Sequence, residues 1–221
     1  MNANYVQRLR VTFRKSGPAR WIGHLDVNRT WERALNRAGI PMAYTQGFNR
    51  RPRMQFASAL PLGYTSECEL VDLWLGETMA PEQALSQLQE RMAPGIEVVA
   101  VEEVSVREAA LPTLPTTAHF TARLNHVEVE PAELKARIEA FNAADEVLAE
   151  KRSRKSRGKK FNLRPRVFEL ALVEEQPLVI EMVVSAEERT NGRPGDVLLA
   201  LDIDPRATHI HRSKLVLRED E

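Results

Sequence analysis

Tyr44, Phe48, Asn49, Arg50, Arg51 and Arg53 crowd into one short stretch, YTQGFNRRPRMQF. Those residue types suit one kind of chemistry. Guanidinium groups fork onto phosphate oxygens, and aromatic faces stack on unpaired bases. Gly47 permits a sharp turn and Pro52 restricts the chain before the next strand, so the loop is expected to be held in shape. A second basic set follows in KRSRKSRGKKFNLRPR: Lys151, Arg152, Arg154, Lys155, Arg157, Lys159, Lys160, Arg164 and Arg166. Nine cations in sixteen residues repel one another until an anion neutralises them, and nucleic-acid phosphate is the commonest such partner. The plain alternative for this run is a solvated loop between strands.

The formal net charge of zero hides this pattern. Residues 1–53 carry 11 Lys and Arg against 2 Asp and Glu, whereas residues 54–110 carry 2 against 10. Two basic blocks therefore stand on an acidic background, and distribution says more about partners than the total does.

Other candidates are weaker. His24 lies where a loop becomes a helix, so it is a candidate general acid or base, or else a helix cap with Trp21 and Leu25 packed inward. No nucleophile or second acid accompanies it in the sequence. Arg29, Arg33 and Arg37 recur every four residues and form a row on one helix face, with Glu32 as a partner for one of them. That row reads equally as an ordinary charged surface. His209 and His211 share one face of a strand without a third ligand, so no metal site is expected. Cys68 is the only cysteine, which excludes an internal disulfide and a thiolate-clustered zinc or iron–sulfur site. Asp72 falls within a largely apolar strand and is expected to answer a nearby arginine. Glycine-rich phosphate loops, nucleophile elbows and HExxH are absent from the sequence.

The elements that must position these residues follow from periodicity. QRLRVTF alternates and predicts a strand. A helix is expected from Leu25, capped by Asp26 and ended by Gly39 and Pro41. RMQFASAL and CELVDLWLG are strands, a helix starts at Pro81, and IEVVAVEEV is a further strand. The order β-α-β-β-α-β is that of a ferredoxin-like split βαβ. Two prolines in REAALPTLPTTA place a boundary at Arg107–Ala118. Beyond it come a strand HFTARLNHVEV, a helix from Pro131 with Leu134, Ile138 and Phe141 inward, and a short strand at EVLAEKR. A hairpin of LRPRVFELALV and LVIEMVVSA, a short helix PGDVLLALD and a strand THIHRSKLVL complete the series. The fold expected is α+β: two ferredoxin-like domains in tandem, 1–108 and 119–221, the second decorated by the basic insertion 151–166. At 221 residues the chain suffices for two such domains of about 100 residues each.

With HLD, RAL-RAGIP, Y-QGFN, P-M-FA-ALPLG and E-VD in order, the stretch from Leu9 to Leu75 resembles the radical-SAM-linked proteins. That family of unknown function is found fused to, or encoded beside, B12-binding radical S-adenosylmethionine enzymes. A weaker continuation is FNLRPRVFEL. Two positions depart from the family pattern. Arg50 stands where proline usually follows Gly-Phe-Asn, and Asn162 stands where an acidic residue is common, and both changes make this chain more positive. The resemblance implies service to a radical enzyme rather than identity with one, since that enzyme holds its cluster through three clustered cysteines. The layout is also similar, in architecture alone, to RNA-binding proteins of CRISPR RNA processing.

The expectation is an RNA-binding accessory protein without catalysis or cofactor of its own, which presents RNA to a radical enzyme. The alternatives are an RNA-processing enzyme using His24, and a protein-only adaptor whose basic loops dock on an acidic face. No apolar run approaches the roughly 18 residues of a membrane span. MNANYVQRLRV lacks the apolar core of a signal peptide, so a cytoplasmic location is expected.

Overall fold

The alternating run QRLRVTF lies within a long strand, β1 (Gln7–Lys15), in a computed structural model that describes residues 5–46, 48–125, 128–150 and 158–218. The chain divides into two units, Met1–Pro115 and Thr116–Glu221. In the first unit β1 leads through a short 3-10 turn, Gly17–Trp21, into α1 (His24–Ala38). Then come β2 (Met54–Phe56), β3 (Thr65–Leu75), α2 (Pro81–Arg91) and β4 (Ile96–Val104). The strands lie in the order β4-β1-β3, with β2 on the other edge of β3, and every pairing is antiparallel. This is the 4-1-3-2 order of the split βαβ fold.

One face of that sheet is apolar. Leu9, Val11 and Phe13 of β1 and Val71, Leu73 and Leu75 of β3 pack with Val27, Trp31 and Leu35 of α1, and with Ala84 and Leu88 of α2. Phe13 meets the Trp31 ring edge-on at 5.0 Å. Helix α1 ends as expected: Gly39 takes a left-handed φ of 67°, and the Ile40 N–H bonds the Leu35 carbonyl at 3.2 Å. Its start differs from the expectation. Gly23 is the N-cap, and the Asp26 N–H donates to the Gly23 carbonyl at 3.0 Å, so Asp26 belongs to the first turn. There its negative charge faces the positive end of the helix and pairs with Arg29 at 3.4 Å. Trp21 and Leu25 do not pack inward either; they remain 65% and 74% exposed. The 3-10 turn delivers the chain to Gly23 with Trp21 outside, beside Gly63 and under the Arg20 guanidinium at 4.5 Å.

The other face of β1 carries Arg8 and Arg10, and it is buried too. Arg8 Nε donates to Asp72 Oδ2 at 2.9 Å, and Arg10 Nε donates to Oδ1 at 3.0 Å. Past β4 the chain returns over these groups: Arg8 donates to the carbonyls of Glu108 and Ala109 at 2.9 Å each, and Arg10 pairs with the Glu108 carboxylate at 2.5 Å. Alternation had marked these positions as polar, but a covering segment turned them into interior.

The second unit repeats the order. β5 (Pro115–Leu124), α3 (Pro131–Ala143), β8 (Val167–Glu175), β9 (Leu178–Ser185), α4 (Pro194–Ala200) and β10 (Thr208–Leu217) give β10-β5-β9-β8, again 4-1-3-2. Leu134, Ile138 and Phe141 of α3 are buried, as their spacing predicts. The decoration is a hairpin of β6 (Leu148–Glu150) and β7 (Lys160–Asn162). Both units are therefore ferredoxin-like, and the fold is α+β.

Candidate nucleic-acid interface

The loop that carries the first basic set rises from a hydrogen-bonded stem. The Ala43 N–H bonds the Trp74 carbonyl at 2.7 Å, fastening the stem to β3, and the Arg53 N–H bonds the Ala43 carbonyl at 2.7 Å. One step further, the Thr45 N–H reaches the Arg51 carbonyl at 2.9 Å, and the Thr45 hydroxyl accepts from the Arg51 N–H at 3.1 Å. Tyr44 and Pro52 face each other across this ladder, so the proline, which has no N–H, sits where no donor is required. Gly47 lies outside the described residues.

Beyond the stem the side chains separate into two groups. Phe48, Asn49 and Arg50 are exposed, and Phe48 keeps none of its ring covered. Arg50 stands over the Tyr44 ring at 5.9 Å, and the Tyr44 hydroxyl reaches Asn36 of α1 at 3.4 Å. Arg51 lies 3.9 Å from Glu32, a long and solvated pair. Glu32 thus serves the loop rather than the helix row in which its partner was expected. Arg53 belongs elsewhere: its guanidinium covers the rings of Tyr5 at 4.5 Å and Trp74 at 5.2 Å, back on the sheet. Within the helix row Arg37 donates to the Arg91 carbonyl at 2.7 Å and Arg29 pairs with Asp26, while Arg33 is exposed.

In the second unit Lys151, Arg152, Arg154, Lys155 and Arg157 lie outside the described residues. Lys159 and Lys160 are exposed where the β6–β7 hairpin resumes. Arg164 and Arg166 are tied to backbone. Arg164 donates to the carbonyls of Val167 at 2.6 Å and Asn142 at 3.2 Å, and Arg166 covers the Phe161 ring at 4.3 Å and donates to the Asn191 carbonyl at 3.2 Å. The Asn162 side-chain oxygen accepts the N–H groups of Val147 and Arg164, at 3.1 and 3.0 Å. A carboxylate oxygen at this position would accept the same two bonds.

His24 has Asn28 at 3.5 Å from its Nε2 and meets the Phe56 ring edge-on at 5.5 Å. Among the described residues, no group of three or more His, Cys, Asp or Glu side chains is placed to hold a metal ion. Sequence reasoning missed Tyr5, Arg8, Arg10 and Trp74. Asp72, an acid set in the apolar strand ELVDLWL, answers an arginine as expected; the partners are Arg8 and Arg10, which the sequence did not single out.

The profile of a family described as "Uncharacterized protein conserved in bacteria (DUF2344)" matches residues 8–194. The chain belongs to that family. Its description names no activity and no partner, so the link to a radical S-adenosylmethionine enzyme rests on the sequence resemblance alone. Among curated proteins none matches the chain. Among solved structures the chain is similar to one titled "Crystal Structure of a Cbf5-Nop10-Gar1 Complex", at 12% identity and a TM-score of 0.50. The match covers 94% of this chain and 48% of that one, and at such identity it speaks to fold only. No helix among the described residues is long and apolar enough to cross a membrane.

Proposed function

We propose that this family member is an RNA-binding accessory protein that presents single-stranded or looped RNA to a partner enzyme and carries out no chemistry itself. The observation that carries the reading is Phe48: a fully exposed aromatic ring beside Asn49, Arg50 and Arg51, on a loop whose stem is locked to β3. An apolar ring left wholly in water above a fastened stem is poised for a flat partner, and the adjacent cations select one with phosphates. The radical S-adenosylmethionine enzyme implied by the resemblance is the partner proposed. At His24 the neighbours are an aromatic ring and an amide, and neither favours the RNA-cleaving alternative.

The test is the salt dependence of binding to single-stranded RNA. Removing each phosphate contact flattens the log–log slope by roughly 0.7. Arg50→Ala with Arg51→Ala should therefore weaken binding and reduce the slope. Phe48→Ala should cost about 1–3 kcal/mol at constant slope. Arg53→Ala serves as the control, because its guanidinium is committed to Tyr5 and Trp74. Wild-type affinity and slope in all of the tip variants would remove the loop as the RNA site.

A further inference from the structure

The second unit contains a cleft of about 520 Å³ whose walls differ in character. On one side stand Phe168 and Pro165 at the entry to β8, with the Phe168 ring 53% exposed. The rest of the lining includes a connected polar set. The Ser185 and Thr190 hydroxyls lie 3.4 Å apart, and Thr190 donates to Glu187 Oε2 at 2.8 Å. Glu187 in turn lies 3.8 Å from Arg218, a long pair between two half-solvated side chains. Such a pair is weak and readily exchanged for a better anion.

An exposed aromatic wall, hydroxyls, a carboxylate and a cation in one cleft narrow the ligand chemistry. A neutral sugar can stack its C–H face on the ring but gives Arg218 no anion, and a simple anion leaves both the ring and Glu187 unused. A peptide carboxylate has no need of the hydroxyl chain. One molecule class uses every wall: a planar base for Phe168, ribose hydroxyls for Glu187, and a phosphate for Arg218. The volume falls in the roughly 300–1,000 Å³ range of small-molecule sites. A smaller cleft of about 230 Å³ in the same unit carries Glu169 and Glu181, and that charge repels a phosphate.

We infer that the cleft between Phe168 and Arg218 binds a single nucleoside monophosphate unit, either free or as one nucleotide of an RNA strand. All of its lining residues belong to the second unit, and the inference does not rest on the reading of the loop at Phe48.

The experiment is calorimetric titration of the full chain carrying Phe48→Ala, which silences the first-unit loop. Three probes are used: adenosine 5′-monophosphate, adenosine, and an end-blocked RNA trinucleotide. Binding of the monophosphate should fall about tenfold or more in both Phe168→Ala and Arg218→Ala. Phe168→Leu, which keeps the apolar bulk but loses the aromatic face, should fall with Phe168→Ala, and melting temperatures should stay unchanged. Adenosine should lose affinity in Phe168→Ala but not in Arg218→Ala. Binding of the monophosphate without the trinucleotide identifies a free nucleotide as the ligand, and the reverse identifies a strand. Binding of neither at millimolar concentration overturns the inference, as does binding that Phe168→Ala and Arg218→Ala leave intact.

Discussion

Asp72 and Arg10 form an enclosed ion pair, with Oδ1 accepting the Nε–H at 3.0 Å and only 0% and 5% of their side chains exposed. Arg8 shares the same carboxylate, so one acid answers two buried guanidinium groups, with Glu108 as the second acid. Burial works against the Arg10 charge. Hydrogen bonding and attraction from Asp72, and then from Glu108, outweigh it and hold Arg10 above the usual guanidinium value. The group also sets the path of the chain, because Arg8 binds the carbonyls of Glu108 and Ala109 at the end of the first unit.

Removing the shared acid should therefore be costly. Asp72→Ala leaves two buried cations short of a counter-charge, and breaking a buried pair in this way costs about 3–5 kcal/mol. Glu108→Gln should cost less, since Arg10 keeps Asp72 and Glu108 is closer to solvent. Urea midpoints of the two variants give the order, and equal small losses would show that the group contributes little.

Lys15 provides a pH test. It is 1% exposed, and its amine has no hydrogen-bond partner among the described residues. Burial lowers its pKa from the ordinary 10.5, and the negative charge of Glu69 only partly opposes that. The unfolded chain thus binds the proton more tightly than the folded one. Stability should rise with pH between the lowered folded value and 10.5, and fall as pH drops through that window. Unfolding free energies measured from pH 8 upward should show the rise in wild type, and Lys15→Met should flatten it. An unchanged slope in Lys15→Met would assign the pH dependence to other groups.

Gly95 tests a close approach. Its φ is +88°, and a Cβ there would lie 2.5 Å from the Ser16 carbonyl oxygen and 2.8 Å from the Ala19 Cβ. Both the backbone conformation and the space forbid a side chain, so Gly95→Ala should lower stability by at least about 1–3 kcal/mol. A melting temperature equal to wild type would contradict this packing.

Phe48→Ala should have the opposite result. A ring with no covered surface contributes no core, so unfolding free energy should stay within about 0.5 kcal/mol of wild type. A larger loss would mean that the ring is buried after all.

Much of the fold was legible because its signals are local. The inward residues of α3, the αL glycine ending α1 and the extent of β10 all follow from spacing and chain chemistry. What failed depended on remote chain. QRLRVTF alternates, but nothing in those seven letters announces that Glu108 will return to cover Arg8 and Arg10. The start of α1 was misplaced because Asp26 is a good capping residue, whereas Gly23, already extended after the 3-10 turn, takes the cap. For the loop, sequence gave the residue types but not their division, since only the register of Trp74 against the stem draws Arg53 away from Arg50 and Arg51.

The ladder of this loop closes at Thr45 and Arg51, so positions 46 and 48–50 lie past the last hydrogen bond on which the strand register depends. The tip is in that sense a cassette. Residues there can be exchanged or added without shifting the register of β3, so the strand pairing is not what requires a Gln-Gly-Phe-Asn sequence at the tip.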